Sequence, residues 1–365
     1  MTGRIVFAPD SFKGTASAAE AAGALAEGWR TVRPGDDLVL RPMADGGEGT
    51  LDAFAAAVPG AERIPVTVRG PDDRPVDAAW LRLPDGSALV ELAGTSGLTL
   101  LDALRPLDAH TFGFGEAVAS ALDAGATRLL LAIGGSSSTD AGAGALAALG
   151  ASFRDHEGRE VVGGARGLAE VASVDVSSLR ALPPGGASIL CDVTNPLLGP
   201  SGAAAVFGPQ KGASAAMVAS MDVALARFAV LVPGGAALAQ APGAGAAGGT
   251  GFGLLAWGAR MSGGAAAVAE AIGLAGAIEG ADLVVTGEGR FDGQSASGKA
   301  PSEVVARADA AGVPVALVAG AIAAGTASFA ASVSLTDLAG DVDAARGEPV
   351  RWLRAAGARL ASSWT

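Results

Sequence analysis

Six polar segments, five of them glycine-bearing, gather side chains whose types and spacing suit binding an anion or moving a proton. They are Ala8-Pro-Asp-Ser-Phe-Lys-Gly14, Ala44-Asp-Gly-Gly-Glu-Gly-Thr50, Gly134-Gly-Ser-Ser-Ser-Thr-Asp-Ala-Gly142, Cys191-Asp-Val-Thr-Asn-Pro-Leu197, Gly208-Pro-Gln-Lys-Gly212 and Thr286-Gly-Glu-Gly-Arg-Phe-Asp-Gly-Gln-Ser295. Lysine, serine and glycine turns suit phosphate; aspartate and glutamate beside them do not, unless a metal ion intervenes. The mixture points to phosphoryl transfer rather than to passive anion binding. Lysine is rare, with only Lys13, Lys211 and Lys299 against 22 arginines, and asparagine occurs once, at Asn195. Under such a bias a solvated lysine is easily exchanged for arginine. The three survivors are therefore candidates for places where a compact ammonium fits and a broad guanidinium fork does not. A surface lysine with its stem on apolar atoms is the alternative for each.

Two apparent motifs carry less. Gly243-Ala-Gly245-Ala-Ala-Gly248 has the letters of a dinucleotide fingerprint, but with 55 glycines such a match arises by chance about once in a chain this long. It also follows Pro242 where a strand should end, and no acidic residue lies near the expected position downstream. Gly293 to Lys299 nearly forms a P-loop, yet Ala300 stands where a hydroxyl should meet Mg²⁺. Phosphate binding by that segment, ahead of a helix N-terminus, remains an expectation. His110 and His156 lie outside the six segments and read as structural or surface residues.

The elements that must position these segments follow from the apolar pattern. Arg4 to Ala8 reads as a strand running into the first segment, and Ser17-Ala-Ala-Glu20 reads as a capping box opening a helix to about Arg30. Leu38 to Arg41 repeats the scheme ahead of an Ala-rich helix, so a parallel sheet is expected. After Pro65, Ala79 to Leu83 and Ala88 to Leu92 flank Pro84-Asp85-Gly86, a hairpin signal. Further expectations are a helix over 116–123, strands over 128–133 and 187–192, and a helix from Ala141; a solvated turn that merely caps this helix is the alternative to phosphate binding by the serine-rich loop. The strand and loop scheme returns with Asp282 to Thr286 followed by a loop through Asp292. The simplest architecture is a discontinuous, doubly wound α/β domain, residues 1–65 plus 280–365, with an inserted mixed α/β domain over 66–279. Ligands in such sheets sit at the carboxyl ends of the strands, where the six segments fall.

Composition narrows the partners. A net charge of −12 disfavours nucleic acid, no apolar run reaches a membrane span, and Cys191 as the single cysteine excludes an internal disulfide. No leader-like segment is read at the N-terminus, and a cytoplasmic setting is expected. The oligomeric state is left open.

In combination and order, the six segments closely resemble the bacterial glycerate kinase family, and the resemblance runs nearly end to end. It implies ATP-dependent phosphorylation of glycerate, commonly to 2-phosphoglycerate, with Mg²⁺, on a flavodoxin-like domain carrying an inserted α/β domain. On that basis Lys13, Asp45, Asp192 and Lys211 are the candidate catalytic residues. Lys13, Lys211 and Lys299 would meet phosphate charge, supported by Ser136, Ser137 and Ser138. Asp10, Ser11, Asn195, Glu288, Arg290 and Gln294 complete the candidate substrate and phosphate contacts. Asp192 leads the Mg²⁺ candidates, with Asp45, Glu48, Glu288 and Asp292 behind it. Asp45 and Asp192 both remain open as the general base, and Lys13, Arg290 or the Ser136 to Ser138 loop as the partner of the substrate carboxylate. Alternatives are a kinase of another small hydroxy acid, a non-catalytic anion-binding protein and, weakest, a dehydrogenase.

Overall fold

Ile5, Val6, Phe7 and Ala8 are wholly buried in the strand Arg4–Pro9, the unbroken apolar run that a strand covered on both faces requires. That strand lies inside its sheet, between two parallel neighbours, in the computed structural model, which describes residues 2–12, 14–292 and 300–364. Contacts divide the chain into two compact units, one formed by residues 1–45, 52–59 and 263–365, the other by 46–51 and 60–262.

The first unit is built on a five-stranded sheet, ordered Asp37–Leu40, Arg4–Pro9, Leu283–Phe291, Val315–Ile322, Ala331–Ser334, with every pair parallel. Numbered along the chain this is the order 2-1-3-4-5, the flavodoxin-like arrangement. Its switch point lies between Arg4–Pro9 and Leu283–Phe291, which pair from Ile5 opposite Leu283 to Pro9 opposite Gly287. The helix Ala18–Val32 begins with the predicted capping box, Ser17 and Glu20 exchanging bonds with each other's backbone N–H. It packs on the helix Pro349–Ser363 and buries Trp29 edge-on to Phe7. Burying each such side chain stabilises the fold by about 1.5–3 kcal/mol.

One expectation is corrected here. The sequence reading ends a strand at Thr286 and places Gly287 to Asp292 in a loop, but Leu283–Phe291 is a single strand. Glu288, Arg290 and Phe291 pair with Ala319, Ala321 and Ile322. Gly287 permits this because a β-carbon there would overlap the Val318 carbonyl; glycine marks a close strand approach rather than a turn.

The second unit holds a six-stranded mixed sheet. Arg260–Ser262, Ala187–Leu190, Arg128–Ala132 and Ser87–Glu91 run parallel in that spatial order, and Pro75–Arg82 and Glu62–Arg69 continue it antiparallel. The predicted hairpin turns at Asp85, whose carboxylate accepts from the Ser87 N–H, with Gly86 left-handed. Trp80, Phe114, Phe228 and Phe252 anchor its core, Phe228 lying edge-on to both Phe153 and Phe252. The contact division falls at 59/60 and 262/263, against 65/66 and 279/280 in the sequence reading. Glu62–Arg69 pairs along its whole length with Pro75–Arg82, and the helices Gly264–Ala271 and Leu274–Ile278 pack on Ala300–Ala311. No helix among the described residues is long and apolar enough to cross a membrane.

Candidate active site

In the 60–262 unit the serine-rich loop and the Asp192 segment leave neighbouring parallel strands at the same sheet edge, Ala132 opposite Leu190. The strand toward Asp192 stops at Leu190, two residues earlier than the sequence predicts, and Asp192 is half-buried beyond it. The loop is held from several directions. Gly134 N–H donates to Gly46 O at 3.0 Å, Leu98 N–H to Gly135 O at 2.9 Å, and both the N–H and the hydroxyl of Ser137 donate to Ser96 O, at 3.1 and 2.8 Å. Gly46 is left-handed (φ +89°), and a side chain there would overlap the Leu190 carbonyl, so only glycine lets this segment lie against the strand end.

Into this loop reaches Lys211, from the short turn Pro209–Lys211 between Gly208 and the left-handed Gly212. It is 2% exposed. Its ammonium donates to Ser136 Oγ at 2.8 Å and to the Ser138 carbonyl. Burial pushes its pKa from 10.5 down to about 7, opposed by the negative charge of Asp140. The hydroxyls of Ser138 and Thr139 are buried without a hydrogen-bond partner among the described residues. A cation, two such hydroxyls and a sheet edge carrying an aspartate form a surface suited to a phosphoryl group.

The three serines therefore differ. Ser136 binds the lysine, Ser138 supplies its carbonyl, and Ser137 is committed to Ser96. The helix expected from Ala141 starts at Ala143, because Ala141 and Gly142 are both left-handed (φ 53° and 73°). The capping comes from Asp140, which accepts from the N–H groups of Gly142 and Gly144 at 3.2 Å each, and not from the serines. Asn195 spends its side-chain amide on Ser201 O at 2.8 Å, while its backbone carbonyl accepts from Gly245. Glu48 is exposed. Sequence reasoning missed Glu91, a buried carboxylate that accepts from the N–H groups of Gly49 and Leu51 at 3.3 and 2.8 Å. The false dinucleotide fingerprint forms a left-handed run at Ala247, Gly248 and Gly249, packed on the serine loop.

In the other unit the candidates collect around the switch point. Asp10 N–H donates to Gly287 O at 2.8 Å and Met43 N–H to Pro9 O at 2.9 Å, so three strand exits are stitched together. Asp10 is buried and accepts from the Ser11 N–H at 2.6 Å. Glu288 is buried on its strand, Asp45 is half-buried, and Arg290 lies 3.3 Å from Asp292 in a partly exposed ion pair. Lys13, Gln294 and Lys299 lie outside the described residues. Among the described residues no three His, Cys, Asp or Glu side chains gather as a metal cage.

Residues 5–365 match the sequence model of the glycerate kinase family. The chain belongs to the glycerate kinase family. Relatives include a glycerate kinase of Bacillus subtilis (strain 168), 44% identical over 326 residues covering 87% of this chain and 85% of that one. A glycerate 2-kinase of Escherichia coli (strain K12) is 42% identical over the same shares. A crystal structure of a glycerate kinase 2 candidate from Salmonella typhimurium LT2 superposes with a TM-score of 0.85 at 38% identity, covering 100% of this chain and 98% of that one. Glycerate kinase family membership thus rests on nearly the whole chain, both units included.

Proposed function

We propose that this protein transfers the γ-phosphate of ATP to the 2-hydroxyl of glycerate, yielding 2-phosphoglycerate and ADP. The observation that carries the reading is Lys211, a buried ammonium held by Ser136 and Ser138 at a parallel strand end, with Asp192 on the next strand's exit. In the reaction the bond from the γ-phosphorus to the bridging oxygen of ADP breaks, a bond to the glycerate oxygen forms, and the hydroxyl proton passes to a carboxylate. Asp192 or Asp45 takes that proton. Lys211 stabilises charge spreading over the transferring group, and Lys13 and Lys299 are proposed to share the phosphate charge. Asp10, Ser11, Glu288, Arg290 and Gln294 are proposed to orient nucleotide and acid from the switch-point strands.

Mg²⁺ fits the donor chemistry of these residues: one or two carboxylates suffice, because phosphate oxygens and water complete its shell. Asp192, Asp45, Glu48 and Asp292 are the candidates to hold it, and it would neutralise β- and γ-phosphate charge. A cytoplasmic setting and a two-domain division along the two compact units belong to the same proposal. Turnover of ATP with Mg²⁺ and a panel of hydroxy acids tests it, with the product's phosphate position read by NMR. Fastest turnover with glycerate and a 2-phosphorylated product are expected. Rapid turnover with a different acid and none with glycerate would overturn the substrate assignment.

A further inference from the structure

Asp140 is fully buried and accepts four hydrogen bonds, all from neutral donors: the Thr111 N–H (2.9 Å), the Thr111 hydroxyl (2.8 Å) and the N–H groups of Gly142 and Gly144. Thr111 Oγ1 in turn accepts from the Ala145 N–H at 2.9 Å. A carboxylate so placed grips two chain segments at once. It also stabilises the left-handed Ala141, a conformation that a non-glycine residue keeps only where its surroundings hold it. Ala141 N–H then donates to Gly248 O at 3.1 Å. On the other side of that contact, a β-carbon on Gly248 would overlap the Ser138 carbonyl and stand 2.9 Å from Lys211 Nζ. One carboxylate thus fixes the turn that follows Ser138, whose carbonyl is one of the two oxygens on which Lys211 rests.

We propose that Asp140 is the positioning residue for Lys211, holding the serine loop in shape and placing a buried carboxylate near the ammonium that meets phosphate. The proposal rests on the kinase reading above. Of the elements against the lysine's turn, the helix Ala203–Phe207 and the segment Ala246–Trp257 carry no ionisable side chain, the helix Ala215–Leu231 carries Asp222 and Arg227, the stretch around Leu104 carries Asp102 and Arg105, and the serine loop carries Asp140. Its charge works against the burial that lowers the lysine's pKa.

With three lysines in the chain, ¹³C-lysine labelling gives three ε-methylene signals, and loss of one in Lys211→Met assigns Lys211. Asp140→Asn should lower the midpoint of that signal by about one pH unit. The alkaline limb of kcat/KM for ATP should shift downward with it, because turnover falls as pH rises through the ammonium's pKa. Should Asp140→Asn fail to fold, Thr111→Val keeps the charge but removes one donor. Less of the carboxylate's charge is then compensated, and the Lys211 midpoint should rise. An unmoved midpoint in the folded variant overturns the proposal, as does a moved midpoint that leaves the kinetic limb in place. Absence of wild-type kinase activity would instead overturn the functional reading while the lysine titration still reports the Asp140 coupling.

Discussion

Among the described residues, the buried ionisable groups at the strand exits of the flavodoxin-like unit are carboxylates, Asp10 and Glu288; the inserted unit buries carboxylates as well, Glu91 and Asp140, but adds a buried ammonium at the serine loop, Lys211. The two are stabilised by opposite means. Asp10 leans on a backbone N–H of its own turn, as an acid does cheaply at a strand end. Lys211 needs acceptors, and the serine loop has to be folded back to deliver Ser136 Oγ and the Ser138 carbonyl. Neither direct acceptor carries a charge, so apart from the field of Asp140 the ammonium's charge is left to interact with an anion. Arginines elsewhere behave differently: Arg166 with Asp108 and Arg354 with Glu27 pair at the surface, where such bridges contribute about 0–1 kcal/mol. A buried cradle that gives lysine only uncharged hydrogen-bond acceptors is therefore the feature of the inserted unit that stability alone does not explain.

The largest expected effect comes from removing that cation. Lys211→Met should lower kcat/KM by ~100-fold or more, the usual loss for one transition-state charge contact. Lys211→Arg should be nearly as damaging, since Gly248 stands so close to the amine that a guanidinium fork has no room. Steady-state kinetics decide; an active arginine variant would show that only charge at this place matters. Next in size is Gly248→Ala, which combines a left-handed backbone (φ 68°) with a methyl overlapping the Ser138 carbonyl. A stability loss of about 2–4 kcal/mol is expected, read by urea unfolding. A neutral result would show that the loop yields and that the cradle is soft.

Stability should also depend on pH through Lys211. Its folded pKa of about 7 lies below the ordinary 10.5, so between these values the unfolded chain binds more protons than the folded one. The group's contribution is fully present above pH 10.5 and is lost as pH falls through 7. Wild type should therefore gain stability relative to Lys211→Met as pH rises from 7 to 10, and equal slopes for the two proteins would contradict the buried placement. The smallest effect separates two neighbours. Ser137→Ala removes a bond to Ser96 O and should cost about 1 kcal/mol of stability with kcat nearly unchanged. Ser136→Ala removes an acceptor of Lys211 and should act on the KM for ATP instead.

How much of this was legible in the sequence depended on distance along the chain. The Ser17–Glu20 box and the Asp85-Gly86 turn were readable because every partner lies within three residues. Lys211 was singled out by rarity, and the serine loop by composition. Asp140 and Glu91 were not, since the donors that define them come from Thr111, 29 residues away, and Gly49, 42 residues away. The run Gly287-Glu-Gly reads as a turn until the strand Val315–Ile322 supplies its pairing partner. The difference between Ser136 and Ser137 is likewise invisible in a run of three identical residues, because Ser96 and Lys211 choose between them.

The most direct test of the phosphate-binding role is the Lys211 titration in the wild-type protein, followed through its ¹³C-lysine signal without and with a saturating, non-hydrolysable ATP analogue and Mg²⁺. The account predicts a midpoint near 7 in the free protein, moving upward by at least one unit when phosphate oxygens meet the ammonium. A midpoint that is unchanged by the nucleotide would contradict it.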